Sequence, residues 1–250
     1  MKRAIFITII FLTVSLTYSL EVNPKNLASS YTKTKISLSL LESKINKNIV
    51  DYFLLLPEKY LSYGKDYSGI ETAYNFNYNL EVRIKLLFGG AITDPSDSEE
   101  SIFWEDIVID LPNGYISFNE TFPPGGDSCF REIALFKSLD KGVIIGIYMR
   151  YEDGVLEHPK TFFLTYTNNQ FVDITKEIIN SIDYKKMFNG ILNERQVEYF
   201  MKKAIFGFRM PRYGKKLRLT IFTRFDKDEK LQAIIDKINP EKDNFYWEFK

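Results

Sequence analysis

The 250-residue chain holds 33 basic and 33 acidic side chains, one histidine and one cysteine, with an aromatic share of 16% weighted to 21 Phe and 16 Tyr. A zero formal charge sets aside a general nucleic-acid binder, which carries a strongly basic face. One Cys and one His set aside a zinc centre built from His and Cys, since structural sites need four such ligands and catalytic sites usually three, and leave no internal disulfide.

Residues 1 to 19 open as Met-Lys-Arg, continue as an apolar run from Ala4 to Leu16 relieved by Thr8, Thr13 and Ser15, and end in Thr17-Tyr18-Ser19. A charged start, a short apolar core and a small-residue exit make up a secretory signal peptide. The run falls short of the roughly 20 residues a helix needs to cross a bilayer. Cleavage after about Ser19 is therefore expected, leaving residues 20–250 as a single α+β domain with no transmembrane span. Losing Lys2 and Arg3 takes the charge to about −2. The expected location is the periplasm or the extracellular medium.

The first element is a packing helix over Leu38 to Leu61, with Leu41, Ile45, Ile49, Phe53 and Leu56 on one face before Pro57. From Tyr74 the apolar residues Tyr74, Phe76, Tyr78, Leu80, Val82, Ile84 and Leu86 alternate with polar ones, which predicts a long strand with one wet face. Next come strands over 102–110, 115–122, 130–138, 143–151 and 161–167, separated by Pro112-Asn113-Gly114, Pro123 to Gly126, Asp140-Lys141-Gly142 and Asp153-Gly154. Asn-Gly and Asp-Gly supply the positive φ angles of tight hairpins, so an antiparallel meander is predicted.

A C-terminal helix pair follows. Ile178, Ile179, Ile182 and Met187 stripe the first helix, and Asn189-Gly190 ends it. Asn193 with Gln196 reads as a capping box for the second, striped by Val197, Phe200, Met201 and Ala204. A strand over 216–224, a helix through Leu231, Ile234, Ile235 and Ile238, and a strand over 245–249 close the chain. With no internal repeat, the fold class expected is α+β: an antiparallel β-meander with flanking helices.

Catalytic candidates are few. A thiolate nucleophile needs an imidazole within hydrogen-bond reach, so Cys129 and His158, expected in loops beside adjacent strands, form the one conceivable hydrolase dyad. No GxSxG elbow accompanies Gly126-Asp127-Ser128, which disfavours a serine hydrolase. Asp94, Asp97, Glu99 and Glu100 cluster in a polar loop and offer oxygens of the kind calcium takes, though not at EF-hand spacing. Glu105 and Asp106, adjacent on a strand, point to opposite faces and cannot flank one glycosidic bond. Asn119-Glu-Thr121 matches a glycosylation acceptor. No cofactor is expected.

Charge is unevenly placed: residues 94 to 110 hold seven acids and no base, while 195 to 225 hold nine bases and only Glu198. One reading makes the segment with Arg209, Arg212, Lys215, Lys216 and Arg218 a basic face for an anionic envelope component or an acidic protein. The other makes both runs ordinary faces that attract one another across the fold.

The strings Asp110-Leu-Pro-Asn113-Gly114-Tyr115, Glu132-Ile-Ala134-Leu135-Phe136-Lys137, Phe171-Val-Asp173-Ile-Thr175-Lys176 and Met210-Pro211-Arg212-x-Gly214 resemble a loose group of uncharacterised exported bacterial proteins. The likeness spans roughly residues 50 to 250. It implies a periplasmic or secreted setting and a meander with a helix pair, and it brings no activity. The reading that results is a non-catalytic envelope or secreted binding module, with the Cys129/His158 hydrolase as the alternative.

Overall fold

The computed structural model describes residues 37–61, 79–88, 92–93, 101–122, 127–138, 141–152, 157–221, 228–238 and 245–248. The expected signal segment and the acidic loop of Asp94, Asp97, Glu99 and Glu100 lie outside the described residues.

The chain is α+β, and its centre is an antiparallel meander. Strands β1 (Ile92–Thr93), β2 (Ser101–Asp110), β3 (Tyr115–Phe122), β4 (Asp127–Ser138), β5 (Gly142–Glu152), β6 (Glu157–Thr167) and β7 (Gln170–Asp173) pair in sequence order. Strand β7 is an addition to the expected set. Asn168 and Asn169 take φ angles of 53° and 60°, the left-handed pair that a two-residue hairpin turn requires and that Asn tolerates.

Because strand side chains alternate between faces, the sheet feeds two cores. One face carries Ile116, Phe118, Ile133, Ile145, Ile147, Met149 and Leu164. It is covered by α1 (Leu38–Ser43), α2 (Ile49–Leu55), a 3₁₀ turn at Glu58–Tyr60 and α3 (Leu80–Leu87). Phe53 meets the stacked rings of Trp104 and Phe118 edge-on there. The other face carries Tyr115, Ala134, Phe136, Ile144, Tyr148 and Phe163. Over it lie α4 (Thr175–Asn180), α5 (Tyr184–Met187), α6 (Glu194–Lys203), α7 (Glu229–Ile238), and a small sheet ordered β10-β9-β8. Its strands are β8 (Phe206–Arg209), β9 (Lys216–Ile221) and β10 (Tyr246–Glu248).

Two glycines let the sheets approach. A Cβ on Gly146 would sit 2.5 Å from Met210 Sδ and 2.8 Å from a Phe136 ring carbon, and one on Gly207 would sit 3.0 Å from Pro159 Cβ. The contact is tied by Phe208 N, which donates to Thr161 Oγ1 at 2.7 Å.

Three expectations are corrected. The helix over 38–61 is two short helices and a turn, and Ile45 is 96% exposed rather than on the packed face. Asn48 restarts the chain by a reciprocal capping box with Asp51, which also draws in the Lys44 ammonium at 2.7 Å. The strand expected through Leu86 is helix α3 from Leu80 onward, while residues 74–78 lie outside the described set. Asn79 caps α3 by accepting from Val82 N, and helical spacing puts Arg83, Leu86 and Leu87 on the buried side. Arg83 donates to the carbonyls of Phe53, Leu54 and Leu56 at the end of α2, and burial lowers its pKa to about 10. The first helix of the expected pair is divided into α4 and α5, with Asp183 capping α5. The Asn193/Gln196 box of α6 is present in both directions.

Candidate functional site

The carboxylates of Glu132 in β4 and Asp110 at the end of β2 face the second core, with side-chain exposures of 4% and 1%. A carboxylate this deep must be paired and hydrogen-bonded, and both meet the connection leaving β8. Glu132 accepts from Arg209 Nη2 at 2.6 Å, from Met210 N at 3.0 Å and from the Tyr115 hydroxyl at 3.2 Å. Asp110 accepts from Arg212 Nε at 2.9 Å and from the Asn113 side chain and backbone at 3.0 and 3.2 Å. Burial pushes the Asp110 carboxyl up, but the bonds from Arg212 and Asn113 outweigh it and hold the group below the usual carboxylate range. Burial works against the Arg209 cation, yet Glu132 leaves its pKa raised. The Tyr115 phenol is raised by burial and by Glu132 beside it.

These anchors fix the start of the β8–β9 turn and leave its tip outside. Tyr213 is 60% exposed, with the Arg212 guanidinium 5.3 Å from its ring centre. Gly214 turns the chain at φ +77°, and Lys215 and Lys216 are exposed. In the small sheet Arg209, Arg218 and Tyr246 are direct cross-strand partners, so they stand in one row on one face.

The basic face expected from sequence is therefore divided. Arg209 and Arg212 turn inward to Glu132 and Asp110, whereas Lys215 and Lys216 are exposed, Arg218 is half-buried, and none of these three forms an ion pair among the described residues. The acidic and basic runs do meet, through Asp110 of the first and Arg212 of the second.

Cys129 and His158 lie inside strands rather than in loops. Cys129 in β4 pairs with Tyr151 in β5, which pairs with His158 in β6. A whole strand separates them, and at about 4.8 Å per strand spacing the two backbones stand about 10 Å apart. Cys129 is 1% exposed within the first core, against which Tyr151 also packs.

Ser128 belongs to β4. Asp106 has φ 50° in a bulge between Glu105 and Val108, and its carboxylate accepts from the amide of Asn119, so the glycosylation acceptor sits within β3. Among the described residues, no three His, Cys, Asp or Glu side chains gather to hold a metal ion.

Sequence reasoning missed the inward roles of Asp110, Tyr115, Glu132, Met210 and Arg212, although all five stand in the strings that carry the resemblance. The available signal was Arg131-Glu132 set between the apolar runs Cys129-Phe130 and Ile133 to Phe136 of one strand. Each member needs a buried partner, one on either face. Arg131 finds its own on the first face, 2.5 Å from Glu120, which also accepts from Trp104 Nε1.

No family model, curated protein or solved structure matches the chain.

Proposed function

We propose that the protein is an exported, non-catalytic binding module that presents Lys215, Lys216 and Arg218, beside Tyr213, to an anionic component of the cell envelope. The observation that carries this reading is the pair of buried clamps. Glu132 and Asp110 hold Arg209, Met210 and Arg212, so the exposed tip is presented without the ordering cost that weakens binding by a floppy loop. Export rests on the sequence of residues 1–19. Among the described residues no helix is long and apolar enough to cross a membrane.

Co-sedimentation of the purified chain with washed envelope fragments tests the reading. Retention is expected at low salt, declining as ionic strength screens exposed charges, and lost in Lys215→Glu/Lys216→Glu. Equal retention by that variant contradicts it. Iodoacetamide should label Cys129 slowly in the native protein and quickly after unfolding. Fast native labelling that disappears in His158→Ala would return the hydrolase.

A further inference from the structure

Resting on that basic-face reading, we infer that the patch recognises an acidic polysaccharide chain, with Tyr213 and Tyr246 as stacking platforms and Lys215, Lys216 and Arg218 as partners for the sugar acid groups.

Tyr246 of β10 stands directly across from Arg218 of β9, and Arg218 directly across from Arg209 of β8. Direct cross-strand neighbours project to the same side with Cβ atoms about 5 Å apart. The side that carries this row meets the main sheet at Gly207 and at Thr220, whose Oγ1 lies 3.3 Å from the Tyr148 hydroxyl, and from Arg209, half-buried and held by Glu132, it runs through Arg218 to a tyrosine 49% exposed at the sheet edge. Lys216 lies two residues from Arg218 along β9 and so shares its face. The turn then adds Lys215 and a second tyrosine, 60% exposed.

Two exposed phenol rings, one in the turn and one on β10, together with three cations select among anionic partners. A phospholipid surface rewards clustered lysines and inserted apolar side chains, whereas this patch offers two tyrosines on a hydrogen-bonded strand and a clamped turn. An acidic peptide satisfies the cations but leaves the rings with no flat partner. A pyranose chain carrying carboxylates supplies both: flat C–H faces that bury against the apolar faces of the rings, and anions at intervals for Lys and Arg. Among the described residues of the small sheet, the one acid on this face is Glu248, directly across from Lys216. Its negative charge repels an anionic chain.

Isothermal titration with four probes separates the possibilities: polygalacturonate, neutral dextran, polyglutamate, and phosphatidylglycerol vesicles. Polygalacturonate is expected to bind, dextran not to. Tyr213→Ala and Tyr246→Ala, which alter no charge, are each expected to weaken polygalacturonate binding about tenfold, the loss typical of an aromatic anchor. Glu248→Gln is expected to strengthen it. Polyglutamate or vesicles binding as tightly as polygalacturonate, or tyrosine variants that bind polygalacturonate like the parent, would overturn the inference while leaving the basic-face reading in place. Absence of binding to all three anionic probes would overturn both. Both tyrosines are exposed, so unchanged thermal unfolding of the variants is the check on their folding.

Discussion

Gly146 and Met210 meet where the two sheets touch, and the meeting depends on a missing side chain. In the sequence Ile144-Ile145-Gly146-Ile147 reads as an apolar strand with one weak position, and nothing in it says what fills the gap. The filler is Met210, 64 residues later and beside the charged clamp. Gly146→Ala should therefore destabilise the fold by about 1–3 kcal/mol through overpacking, read as a lower urea midpoint with an unchanged m-value. A neutral effect would mean that the methionine yields freely. Residues of this kind were illegible beforehand because their reason lies in a long-range contact. Phe53 and Phe200, by contrast, were legible as core, since each repeats with its helix's period and the structure buries both.

At the scale of elements, the meander strands and the capped helix α6 could be read because local signals agreed: alternation, Asn-Gly or Asp-Gly turns, and the Asn193/Gln196 box. Helix α3 could not. Its residues alternate as a strand would, yet Asn79 caps the turn and Arg83 binds the carbonyl end of α2, a tertiary contact that overrides local pattern. The β8–β9 connection belongs here too, because its anchors titrate. Asp110 holds its proton less readily in the folded state than an ordinary carboxyl does. The unfolded chain therefore takes up more protons as pH falls below about 4, and the stability that Asp110 contributes is present above that pH and lost below it. Urea midpoints measured from pH 6 to pH 3 should fall more steeply for the parent than for Arg212→Gln, which lacks one cause of the depression. Equal slopes would show that the Asp110–Arg212 pair contributes nothing.

Across the whole molecule, one sheet divides two cores, and its charged interior residues are shared between them: Arg131 with Glu120 on one face, Glu132 with Arg209 on the other. This division sorts a basic segment, uniform in sequence, into anchors and contact residues, and the proposed binding surface depends on it. The anchors are worth keeping charged only if the pairs are coupled, since a lone buried carboxylate is costly. The most direct test is a double-mutant cycle on folding stability with Glu132→Gln, Arg209→Gln and the combined variant. The predicted coupling is at least about 1 kcal/mol, within the range for buried partners in one network. Zero coupling, with Arg209→Gln as stable as the parent, would contradict the account and return Arg209 to an ordinary solvated face.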